Sequence, residues 1–137
     1  MLRTAVLMIG LCYAAAALGC SKDPEVAKHE FIKSGDAFVA QKKIPEAIIQ
    51  YRNAVQQDPL FGEARSKLSA AQEKTGDLAG AYQQAIRAAD LLPNDVKAQL
   101  TAATLLLRIQ RFDDAMVRAE KVLAKEPRNV EALIARA

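Results

Sequence analysis

From Pro24 to the C-terminus, apolar and small side chains recur at the steps of a helix face. Ala47, Tyr51, Ala54 and Val55 stand at i, i+4, i+7 and i+8, and Ala115, Ala119, Val122 and Leu123 repeat those steps. Ahead of the first set, Phe31, Gly35 and Phe38 give i, i+4 and i+7. Small residues on such a stripe let two helices approach closely, and larger ones fill the holes beside them. Punctuation falls between the stripes. Asp23-Pro24 and Pro45 open helices, because proline at a helix start gives up an N–H that has no partner there. Gly76-Asp77 and Pro93-Asn94-Asp95 join a stop to an N-cap. The pattern predicts antiparallel helices near 25–42, 45–58, 62–75, 78–91, 96–109 and 112–125, with a seventh starting at 130.

These helices come in a repeat. Pro59, Pro93 and Pro127 are 34 residues apart, as are Ala47, Ala81 and Ala115, and Ala54, Ala88 and Val122. Ile44, Leu78 and Phe112 share one column; Tyr51, Ala85 and Ala119 share another. The divisions are 28–61, 62–95 and 96–129, followed by the start of a further repeat at 130–137. Phe31, Gly35, Phe38, Ala47, Tyr51, Ala54 and Pro59 of the first repeat resemble the signature columns of the tetratricopeptide repeat (TPR). The second repeat keeps Leu68, Ala71, Gly76, Ala81 and Pro93 but departs at Arg65, Ser69 and Gln72. The third keeps Ala98, Ala103, Leu106, Ala115 and Pro127 and has Gln99 where an aromatic is usual. The resemblance implies an all-α, TPR-type helical-hairpin solenoid of about three repeats plus a truncated fourth. It also implies weaker packing of the first helix in repeats two and three.

The first residues have a different character. Arg3 precedes an uncharged apolar run from Thr4 to Leu18, which ends at Ala17-Leu18-Gly19-Cys20. A basic start and an apolar stretch make a secretory signal. The small residues before Cys20 resemble a bacterial lipobox, with Leu18 and Ala17 in the reverse of the commoner order. Cys12 follows the bulky Leu11 and is a poorer match. By that resemblance residues 1–19 are a lipoprotein signal peptide, Cys20 is the lipid attachment site, 20–27 form a short tether, and Ser21 directs the chain to the outer membrane, facing the periplasm. An uncleaved anchor or ordinary secretion is the alternative, although Thr4–Ser21 falls just short of the ~20 residues of a spanning helix. Cleavage removes Cys12 and acylation consumes Cys20, which leaves no free thiol in an oxidising compartment.

Composition narrows the chemistry. The 137 residues are 51% hydrophobic, 26% charged and 5% aromatic, which suits neither a disordered chain nor a multi-span membrane protein. The net charge of +3 is interspersed without a basic stripe, so no nucleic acid is expected. His29 is the only histidine, which excludes a His-based triad or a multi-His metal site. Gly76 and Gly80 read as spacing across a turn, and Asp113-Asp114 as carboxylates at a helix N-terminus. No cofactor, metal, small-molecule substrate or enzyme activity is expected.

Binding remains. In TPR proteins the groove is lined by positions 2, 5, 9, 12 and 13 of each first helix. The resemblance carries these onto His29, Ile32, Asp36, Val39 and Ala40; onto Glu63, Ser66, Ala70, Glu73 and Lys74; and onto Lys97, Leu100, Thr104, Leu107 and Arg108. Ile32/Asp36, Ser66/Ala70 and Leu100/Thr104 do not match the basic positions with which chaperone-binding TPRs grip a terminal carboxylate. The expected function is a lipid-anchored, non-catalytic scaffold of the bacterial envelope that holds a protein or peptide partner in its concave groove. Similar lipoproteins take part in outer-membrane protein insertion, pilus biogenesis, or export of polysaccharides and surface proteins. The alternative is the docking arm of a longer envelope enzyme whose catalytic domain lies beyond Ala137. The helix begun at Asn129-Val130 stops after about two turns, so a chain continuing into more repeats is also expected.

Overall fold

The structure, a computed structural model, describes residues 23–137. Residues 1–22, with the signal-peptide assignment and Cys20, lie outside the described residues. Seven helices follow one another there: α1 Pro24–Ala40, α2 Ile44–Gln57, α3 Gly62–Lys74, α4 Leu78–Leu91, α5 Val96–Arg108, α6 Phe112–Leu123 and α7 Val130–Arg136. No strand occurs among the described residues. Each helix falls within a few residues of its predicted place. No helix among them is long and apolar enough to cross a membrane.

Caps set the starts. Asp23 accepts from the Glu25 N–H at 2.9 Å, Asp77 from Gly80 at 2.9 Å, Asp95 from Ala98 at 2.8 Å and Asn129 from Ala132 at 3.0 Å. α2 has no side-chain cap and carries Pro45 in its first turn. The three turns that join α1 to α2, α3 to α4 and α5 to α6 share a device. Lys42, Gly76 and Gln110, each 34 residues from the next, all take positive φ (61°, 81° and 62°).

α1–α2, α3–α4 and α5–α6 pack as antiparallel hairpins, and each second helix packs on the first helix of the next hairpin. The repeated columns form the core. Ala47, Ala81 and Ala115 are each 0% exposed, and Ala54, Ala88 and Val122 follow at 0–1%. Alanine at a crossing brings two helices close together. In the first hairpin Gly35 is closed over by Tyr51: a Cβ built on it would sit 2.7 Å from the ring's Cδ1 and 2.9 Å from its Cζ.

The departures from the repeat pattern turn out to be polar ties, buried at Ser69, Gln72 and Gln99 and half-buried at Arg65. Ser69 donates from Oγ to the Ala81 carbonyl at 2.8 Å, joining α3 to α4. Gln99 donates from Nε2 to the Ala89 carbonyl at 2.6 Å, joining α5 back to α4. Gln72 donates to Asp77 Oδ2 at 2.7 Å, across the turn between them. Arg65 donates to the Pro59 carbonyl and to Gln84 Oε1. Burying a polar group costs free energy that such a partner offsets, and of these side chains Gln72 keeps one buried atom, Oε1, without a partner. The first helices for which the resemblance implies weaker packing thus make hydrogen bonds that the apolar pattern does not show. Lys28 closes the first hairpin in the same spirit, reaching Glu25 at 2.7 Å and Asp58 at 2.8 Å while lying 4.9 Å over the Phe61 ring. Its ammonium pKa is raised by those bonds, Asp58 first, and the Asp58 carboxyl is lowered by Lys28.

Candidate protein-binding groove

The first helices α1, α3 and α5 lie side by side, each one repeat from the last. Helices joined this way present a continuous face, and residues at position 2 recur along it: His29, Glu63, Lys97 and Glu131. Two adjoining cavities open on this face. One, of about 500 Å³, lies between α3 and α5 over the end of α4, and includes Glu63, Ser66, Lys67, Ala70, Leu92, Lys97 and Thr101. The other, of about 530 Å³, runs from α5 to α7 and includes Glu73, Val96, Lys97, Leu100, Thr104 and Glu131. Lys97 and Thr101 belong to both, so the two form one groove.

The expected groove residues divide between this groove and other places. Ser66 and Ala70 line the first cavity; Glu73, Leu100 and Thr104 line the second. Arg108 reaches across from α5 to Glu73 at 2.5 Å. Leu107 is half-buried and, like Leu100, packs on the cluster of Ala103, Ala119, Val122, Ala132 and Ala135. Ile32 is a correction: at 7% exposed it is core, clustered with Ala64, Leu68 and Ala71 of α3. An aliphatic side chain between two helices is driven inward by the apolar area it removes from water. Val39 is half-buried against the same cluster. His29 is exposed and packs edge-on against Phe61, with centroids 5.1 Å apart, beside a separate shallow hollow formed with Glu25, Val26, Glu30 and Lys33.

Asp36 stays at the surface but is already engaged. Tyr51 donates its hydroxyl to Asp36 Oδ1 at 2.7 Å, and Lys67 of α3 donates to both carboxylate oxygens at 2.9 and 3.0 Å. Partial burial pushes the Asp36 carboxyl up, and the Tyr51 and Lys67 bonds outweigh it, so its pKa falls below the usual 3.8. Burial first, then the bond to Asp36, raises the Tyr51 hydroxyl. The first hairpin therefore closes its part of the face internally, and the open groove begins at α3.

Lys67, Thr101 and Glu131 were missed by the carried-over positions. Lys67 and Thr101 stand at position 6, four residues after position 2 and three before position 9, so helix geometry alone puts them on the stripe. Glu131 is the next member of the position 2 column. Among the described residues no group of three or more His, Cys, Asp or Glu could hold a metal ion.

The arrangement is that of a TPR solenoid, and comparison with known proteins agrees. The TPR repeat family model matches residues 35–76. Hsp70-Hsp90 organizing protein 3 of Arabidopsis thaliana is 29% identical over 111 residues, 81% of this chain and 20% of that protein. The chain thus spans about a fifth of the length of the curated relatives it matches. The first TPR of Spaghetti (RPAP3), solved with the HSP90 peptide SRMEEVD, superposes with a TM-score of 0.72 at 24% identity, covering 86% of this chain and 93% of that one. The second TPR domain of human RPAP3, solved with the HSP70 peptide SGPTIEEVD, also gives 0.72, at 21% identity over 83% and 95% of the two chains. At these identities the likeness establishes the fold.

Proposed function

We propose that this chain is a non-catalytic protein-interaction scaffold that takes a segment of a partner into the groove of α3, α5 and α7. One observation carries this reading: the groove combines half-buried Val96 and Leu100 with exposed Ala70, Thr104 and Glu73, a mixed surface that helix packing leaves open. The superposed RPAP3 domains, which were solved with bound peptides, support it by analogy of fold. The Cys20 motif supports a second part of the proposal, that a lipid on Cys20 holds the scaffold on the bacterial envelope, facing the periplasm.

Both parts can be tested. A photo-crosslinking residue at Ala70 is expected to capture a partner, and Thr104→Trp, which fills the groove from an exposed position, to reduce that capture at least tenfold. Equal capture in the Thr104→Trp protein would place the partner elsewhere. Palmitate labelling and membrane fractionation test the anchor: Cys20→Ala should lose both label and membrane association, and retention of both would refute lipidation.

A further inference from the structure

The groove differs in charge from the chain as a whole, which is net positive at +3. Its cations are largely committed: Lys67 to Asp36 at 2.9 Å and Arg108 to Glu73 at 2.5 Å, both across neighbouring first helices. Lys97 is the one groove-lining cation, among the described residues, with no carboxylate within 4.0 Å. It stands in one column between Glu63 and Glu131, each exposed and lining a cavity that Lys97 shares. Lys67 approaches Glu63 only to 3.9 Å. An arriving ligand therefore meets more uncompensated negative charge than positive, beside the apolar surface of Val96 and Leu100.

We infer that the groove selects a segment carrying Lys or Arg next to a large aliphatic residue, and disfavours an acidic chain end such as those bound in the superposed RPAP3 structures. The inference rests on the groove reading above and adds the chemistry of the occupant. The aliphatic side chain enters between Val96 and Leu100, and the neighbouring cation lies toward Glu131 or Glu63. A terminal carboxylate would find Lys67 and Arg108 already paired and only Lys97 open to it, set in its column between Glu63 and Glu131, and like charges brought together oppose binding. Exposed ion pairs contribute modestly, so two of them give roughly a tenfold preference that weakens with salt.

Fluorescence anisotropy on the full 137-residue chain in non-ionic detergent tests this, with three fluorescein-labelled probes. These are amidated GKLGKLG, amidated GELGELG, and SRMEEVD with its free carboxylate. The expected result is GKLGKLG binding about tenfold tighter than either acidic probe, with the gap closing at high salt. Combined Glu63→Lys and Glu131→Lys, both surface changes, should reverse the order without altering helical circular dichroism. Acidic probes binding equally or more tightly, with that binding lost in Thr104→Trp, would overturn the charge proposal while leaving the groove reading intact. Binding of GKLGKLG that ignores Thr104→Trp would overturn both, and absence of binding by any probe would overturn the proposed selectivity.

Discussion

Exchanging residues at the left-handed turn position isolates a backbone effect from every side-chain contact. Lys42, Gly76 and Gln110 occupy equivalent turns with φ of 61°, 81° and 62°. A Cβ added to Gly76 meets nothing within 4 Å, so Gly76→Ala changes only the conformational preference of the chain. An L-residue there costs roughly 1–2 kcal/mol of strain. Reduced freedom of the unfolded chain returns roughly 0.4–1 kcal/mol, for a net loss near 1 kcal/mol. Lys42→Gly and Gln110→Gly run the same exchange backwards and should each gain roughly 0.5–1 kcal/mol. For a helical unit of this size the corresponding change in Tm is roughly 3–6 °C. Urea unfolding followed at 222 nm should show the midpoints moving in opposite directions with unchanged slopes. Loss of stability in Lys42→Gly and Gln110→Gly, comparable to that in Gly76→Ala, would refute the reasoning, because strain could not then be what separates the three sites.

Three other substitutions test packing and charge. Gly35→Ala drives a methyl into the Tyr51 ring and should cost about 1–3 kcal/mol by overpacking, so an unchanged Tm would contradict the close approach. Leu106→Ala empties one of the largest fully buried sites, and a loss of about 2–5 kcal/mol is expected in denaturant titration; a loss under 1 kcal/mol would mean the site is not packed as described. The Asp36 carboxyl has a folded pKa below 3.8, so its contribution is present above that value and disappears as pH falls through the depressed one. Asp36→Asn should therefore flatten stability against pH below about 4, and an acid limb identical to wild type would show that Asp36 does not carry it.

The helices were legible because alanines and aromatics repeat at helical steps and prolines and glycines mark the ends. Legibility failed where a residue's role depends on a partner distant in sequence. Ser69, Gln72 and Gln99 read as defects in an apolar column, since their partners Ala81, Asp77 and Ala89 lie on the far side of a turn or in a neighbouring helix. Gly76 announces its turn, whereas Lys42 and Gln110 adopt the same φ without any glycine to signal it. Half of the groove was similarly visible. Ser66, Ala70, Leu100 and Thr104 fell where column positions put them, but Ile32 was drawn inward by Ala64 and Leu68, and Asp36 was claimed by Tyr51 and Lys67. Periodicity reports which face a residue is on, and competition among neighbours decides whether that residue remains available.

Three hairpins of similar length, packed through alanines at the same columns, are nearly interchangeable building blocks. Apolar contacts of that kind say that hairpins stack but say little about their order. Side-chain pairs between neighbouring hairpins supply part of the missing address. If the third hairpin stacked on the first rather than the second, Gln99 would still find a backbone carbonyl, that of Val55 in place of Ala89, but Arg118 would meet Gln56 instead of Asp90, now 2.6 Å away, and Arg108 would meet Val39 instead of Glu73. Exposed ion pairs of this kind contribute roughly 0.2–1 kcal/mol each, a modest bias that points one way. The charged positions that differ from repeat to repeat are thus the ones that tell the hairpins apart, and making them uniform would gain regularity at the risk of shuffled assembly.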